Sequence, residues 1–94
     1  MKKDDLDRLL RDLAHVDGSD LHLKSGSAPR WRVNGVLSTL AGPPLTPKDT
    51  SELALAIMPP NIREMFQAKH EADFAYSVPG LGRFRVNAFL SVGR

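Results

Sequence analysis

Ala72-Asp73-Phe74-Ala75-Tyr76-Ser77-Val78-Pro79-Gly80-Leu81-Gly82-Arg83-Phe84-Arg85-Val86-Asn87-Ala88-Phe89-Leu90 carries a long alternating pattern broken once by a turn. Its apolar residues recur with a period of two, the pattern of a half-buried strand. Ala72, Phe74, Tyr76 and Val78 share one side, and Glu71, Asp73, Ala75 and Ser77 share the other. Pro79-Gly80-Leu81-Gly82 reads as a turn. The alternation then resumes: Phe84, Val86, Ala88 and Leu90 point inward, while Arg83, Arg85, Asn87 and Phe89 point outward. Two matched strands around a tight turn predict a hairpin with one apolar and one polar face.

Working back along the chain, Asn34-Gly35 marks a second hairpin, because both turn positions want positive φ. A two-residue loop there sets Val33 opposite Val36 and Trp31 opposite Ser38, with Arg30 and Arg32 on the other face. Residues 19–24 alternate again, with Leu21 and Leu23 on one side and Asp20, His22 and Lys24 on the other. Leu6, Leu9, Leu10, Leu13 and Val16 follow helical spacing, and Gly18 supplies a stop. Thr46 before Pro47 caps a helix whose buried stripe is Leu53, Ala56 and Ile57. Asn61 caps a short helix with Ile62, Met65 and Phe66 inward. The order α-β-β-β-α-α-β-β predicts an α+β domain, an antiparallel sheet with helices packed on one face.

The 94 residues make one domain, and 41% hydrophobic with 26% charged content is ordinary globular composition. The absence of cysteine excludes a disulfide scaffold, a thiolate zinc site and a thiol nucleophile. No apolar run is long enough to span a membrane, and the acidic Asp4-Asp5 start is unlike a signal peptide. A cytoplasmic location is expected. A net charge of +2 does not point to nucleic acid.

Gly80-Leu81-Gly82 lies between strands with no following Gly-Lys-Ser/Thr, so it reads as a turn and not a phosphate loop. His15, His22 and His70 lack the spacing of metal ligands, and no metal site is expected. His22, beside Asp20, reads as a structural hydrogen-bonding group. Arg83, Arg85 and Asn87 stand side by side on one strand face, about 6–7 Å apart. Guanidinium groups in that array suit phosphate or carboxylate oxygens, the alternative being a solvated edge or ion pairs with the protein's own acids. The interleaving of Arg and Phe partly matches an RNA-recognition strand, but that motif aims its aromatics outward, whereas Phe84 shares a face with Val86 and Ala88.

Gly18-Ser19-Asp20-Leu21-His22-Leu23, Arg32-Val33-Asn34-Gly35, Pro44-Leu45-Thr46-Pro47-Lys48-Asp49, Ile57-Met58-Pro59 and above all residues 73–89 together resemble one family. They are similar to the N-terminal domain of the type IV pilus retraction ATPases, the PilT-like twitching-motility proteins of the secretion ATPase superfamily. The resemblance runs from about Leu6 to Phe89. It implies a single PAS-like domain over residues 1–94, with a RecA-like ATPase domain expected to follow. It further implies a cytoplasmic homo-hexamer at the inner membrane face that uses ATP and Mg²⁺ and works on the pilus platform protein. The starting helix without a preceding leader domain favours the retraction branch over the extension and secretion relatives.

In such proteins the N-terminal domain supplies arginines to the nucleotide phosphates. Arg83 and Arg85 match two of these by position in the motif. A third stands just before a Gly in the family, whereas Leu90-Ser91-Val92-Gly93-Arg94 reverses that order, leaving Arg94 as the candidate. The domain alone is then not an enzyme, and it has no cofactor of its own. Two other readings are a stand-alone PAS-like ligand-binding or interaction module and, behind it, an RNA-binding module.

Overall fold

A computed structural model describes residues 3–90. These residues form helix α1 (Lys3–His15), strands β1 (Asp20–Lys24), β2 (Arg30–Val33) and β3 (Val36–Thr39), helices α2 (Pro47–Ile57) and α3 (Pro60–Lys69), and strands β4 (Glu71–Val78) and β5 (Gly82–Phe89). The element order is the expected one. The strands make one five-stranded sheet in the order β3-β2-β1-β5-β4.

Both hairpins form. Asn34 and Gly35 take φ of 52° and 78°, and the register sets Val33 against Val36 and Trp31 against Ser38. β4 and β5 pair from Glu71↔Phe89 to Val78↔Gly82, with Gly80 at φ 76° in the turn. The sheet is mixed, however, and not wholly antiparallel. β1 runs parallel to β5, from Asp20↔Arg85 to Lys24↔Phe89. The two strands are joined through β2, β3, two helices and β4, and a long crossover of that kind is what parallel neighbours need.

One face of the sheet carries the core. Leu21, Leu23, Val86 and Ala88 are fully buried, flanked by Phe74, Ala72 and Phe84, and Leu6, Leu10 and Leu13 of α1 complete the layer. The buried stripe of α2 is Thr50, Leu53, Ala54 and Ile57, a true i, i+3, i+4, i+7 set. Ala56 falls outside that set and is exposed. Of the expected inward face of α3 only Phe66 is buried, and Met65 is exposed because the short helix shows the sheet a single edge.

Capping explains the helix ends. Thr46 accepts from the backbone N–H of Asp49 at 3.0 Å, and Asp49 accepts from the backbone N–H of Thr46 at 3.1 Å, a reciprocal capping box. That exchange holds the Asp49 carboxyl below its ordinary value. α3 starts two residues earlier than Asn61 predicts: Pro59 is its cap and Pro60 its first residue, since prolines lose no helical hydrogen bond there. Arg63 instead serves α2, donating to the carbonyl oxygen of Leu55 at 3.0 Å.

α1 stops at His15, which leaves Val16 outside the helix and exposed. The left-handed residue after it is Asp17, at φ 58°, not Gly18. Gly18 is needed for space: a Cβ there would lie 2.1 Å from Cδ1 of the buried Leu13 and 2.8 Å from its Cγ. Gly18→Ala is expected to destabilise the domain by about 1–3 kcal/mol through overpacking. Chemical denaturation with an unchanged midpoint would refute this account of the glycine.

Candidate functional site

Among the described residues, no helix covers the opposite face of the sheet. Its side chains fall into rows set by the register. One row runs from Ala75 on β4 through Arg85 on β5 and Asp20 on β1 to Arg32 on β2. The next runs from Asp73 through Asn87 and His22 to Arg30. Arg83 lies one step nearer the Gly82 turn, opposite Ser77. Alternation alone therefore puts Arg83, Arg85 and Asn87 on the open face, and pairing brings Asp20, Asp73 and His22 beside them.

A shallow cavity of about 580 Å³ opens here, lined by Asp20, Asp73, Arg83 and Arg85 among others. A smaller recess of about 220 Å³ adjoins it, bounded by His22, Arg32 and Asn87 together with the same Asp20, Asp73 and Arg85. The two arginines are not equivalent. Arg83 is exposed and makes no hydrogen bond or ion pair among the described residues. Arg85 lies against Asp73, its diagonal neighbour: Nε donates to Oδ1 at 3.0 Å and Nη2 donates to Oδ2.

The hydrogen bonds from Arg85 hold the Asp73 carboxyl below the usual aspartate range, against a smaller opposing effect of burial. The same bonds raise Arg85, and the nearby charge of Asp20 adds to that. Because the folded Asp73 value is depressed, the pair's contribution is complete above the unfolded aspartate value and fades as pH falls through the folded one. The side chains of Arg85 and Asp73 are 67% and 42% exposed, so solvent screens the pair and it adds little to stability.

Asp20 faces Arg32, with 3.7 Å between the charged atoms. His22 is left out of that contact. Its Nε2 is buried and has no hydrogen-bond partner among the described residues, contrary to the structural hydrogen bond expected of it. The reason lies in the pairing, which turns Asp20 toward Arg32 and sets His22 between Asn87 and Arg30. His70 is the left-handed cap of α3, at φ 63°. Among the described residues, no three His, Cys, Asp or Glu side chains are placed to hold a metal ion. No helix among them is long and apolar enough to cross a membrane. Arg94 lies outside the described residues. Asp73 is the site residue that sequence reasoning missed, although its place on the outward face of its strand was a usable signal.

No protein-family model matches the chain. It is 40% identical over 85 residues to the type IV pilus ATPase PilU of Pseudomonas aeruginosa, and 42% identical over 85 residues to the pilus retraction ATPase PilT of the same organism. Each alignment covers 90% of this chain but only 22% and 25% of those proteins, so the chain spans about a quarter of their length. A crystal structure of the pilus retraction motor PilT with bound ADP superposes with a TM-score of 0.67 at 35% identity, over 87% of this chain and 24% of that one. Sequence and fold agree: the chain matches the N-terminal region of the PilT-like type IV pilus ATPases.

Proposed function

We propose that this chain is the N-terminal domain of a hexameric type IV pilus retraction motor, and that it closes over ATP held by a RecA-like domain. In this reading Arg83 and Arg85 approach the nucleotide phosphates. The observation that carries it is the open face of the sheet, where Arg83 projects without a partner among the described residues, beside Arg85 and a cavity. The ADP in the PilT structure supports a nucleotide as the ligand of the assembled protein.

Phosphoryl transfer spreads negative charge over the transferred group's oxygens, and an arginine brought from another domain stabilises that charge. Arg83 brings a positive charge that has no partner among the described residues. Arg85 brings directed N–H donors. Mg²⁺ is assigned to the RecA-like domain, since the described residues offer no acidic cluster for it. That domain, from the same or a neighbouring subunit, covers the open face, including the exposed Phe89 and Leu37. The hexamer acts at the cytoplasmic face of the inner membrane on the pilus platform protein, driving twitching motility. Arg94 is kept as a third candidate arginine.

The 94-residue fragment is expected to show no ATP turnover, whereas a full-length protein carrying it hydrolyses ATP. A phosphate-release assay on both decides the point. Steady hydrolysis that follows the fragment through successive purification steps would falsify the proposal that catalysis resides elsewhere.

A further inference from the structure

We propose that Asp73 is a positioning residue for nucleotide hydrolysis: it grips one edge of the Arg85 guanidinium and turns the other edge toward the phosphates. This rests on the reading that Arg85 meets the nucleotide. A guanidinium has five N–H donors in a rigid plane. Asp73 engages Nε and Nη2, the side edge of that plane. The two N–H groups of Nη1 and one of Nη2 remain for an incoming oxyanion. Two carboxylate contacts on one planar group fix its rotation as a single contact does not.

Three further observations bear on this. The pair is cross-strand and diagonal, from β4 to β5, so its geometry is set by sheet register and not by a loop. Asp20 flanks Arg85 from β1 and adds to the field that holds it. The exposure of the pair leaves little stability for it to supply, and a directional role accounts for a bidentate clasp there better than a folding role does. Arg83, by contrast, has no such clasp among the described residues, and it acts as the charge that moves to the ligand.

The test measures kcat and KM for ATP in the full-length protein with Asp73→Ala, Asp73→Asn, Asp73→Glu, Arg85→Ala and the double variant Asp73→Ala/Arg85→Ala, each first checked for folding by circular dichroism. The expected result is a fall in kcat of about tenfold for Asp73→Ala with KM within about twofold, since only transition-state alignment is lost. Asp73→Asn falls less, and Asp73→Glu recovers part of the loss. The double variant is no slower than Arg85→Ala, because Asp73 acts through Arg85. If Asp73→Ala fails to fold, Asp73→Asn and its double variant carry the same comparison. Additive losses in the double variant, or full kcat in Asp73→Ala and Asp73→Asn beside an impaired Arg85→Ala, overturn the positioning role alone. Full activity of Arg85→Ala overturns both the role and the reading beneath it.

Discussion

Replacing Arg83 by alanine in a full-length protein that carries this domain is expected to lower ATP turnover by about 10²- to 10³-fold, the scale of one lost donor to developing charge. The melting temperature is expected to shift by only about 2–4 °C, since an exposed side chain without partners contributes within about 0.5 kcal/mol to folding. Arg83 meets the conditions for this separation. It stands on a strand whose other face, with Phe84 and Val86, is buried, so the backbone that carries it is rigid. Its own side chain touches no acid among the described residues. The measurement is a steady-state ATPase assay beside a thermal melt of the same preparation. A large drop in melting temperature with turnover intact would show that Arg83 serves the fold and would remove it from the site.

The second large effect concerns the fold beneath the site. Leu21→Ala is expected to cost about 3 kcal/mol or more, through lost burial and a residual cavity. Leu21 is 0% exposed on β1, paired with Trp31 on one side and Val86 on the other. A domain of this size has only about 5–14 kcal/mol in total, so the melting temperature falls by about 12–24 °C. Leu21 also sits between Asp20 and His22, and its seat in the core is what keeps those two on the open face. A melt within a few degrees of the parent would mean that the sheet repacks without this side chain.

Much of this was legible because local chemistry dictates it. Asn34-Gly35 fixed one hairpin, and the alternation of residues 72–90 fixed the other and sent Arg83 and Arg85 outward. The α+β class followed from these two and from the helical stripes. The parallel pairing of β1 with β5 was not legible. It joins segments more than 60 residues apart, and no local pattern says which strand will lie beside which. The difference between Arg83 and Arg85 was hidden for the same reason. Both look alike along one strand, and only the β4–β5 register shows that Asp73 reaches Arg85. Helix details failed more locally: a Gly near a helix end suggested a stop, where the chain used Asp17 for the turn and Gly18 for clearance.

The parallel pair also governs when the domain can fold. β1 lies in the middle of the sheet, yet one of its two neighbours is the last strand among the described residues, Gly82–Phe89. During synthesis the first hairpin emerges with β1 unpaired along that whole edge, and Leu21 and Leu23 have no Val86 or Ala88 beside them. Closing so long a loop before any contact rewards it is slow. The ribosome must therefore release almost the entire domain before the sheet can close. A nascent chain halted before β5 is expected to be protease-sensitive throughout, and one carried past it to become resistant in a single step.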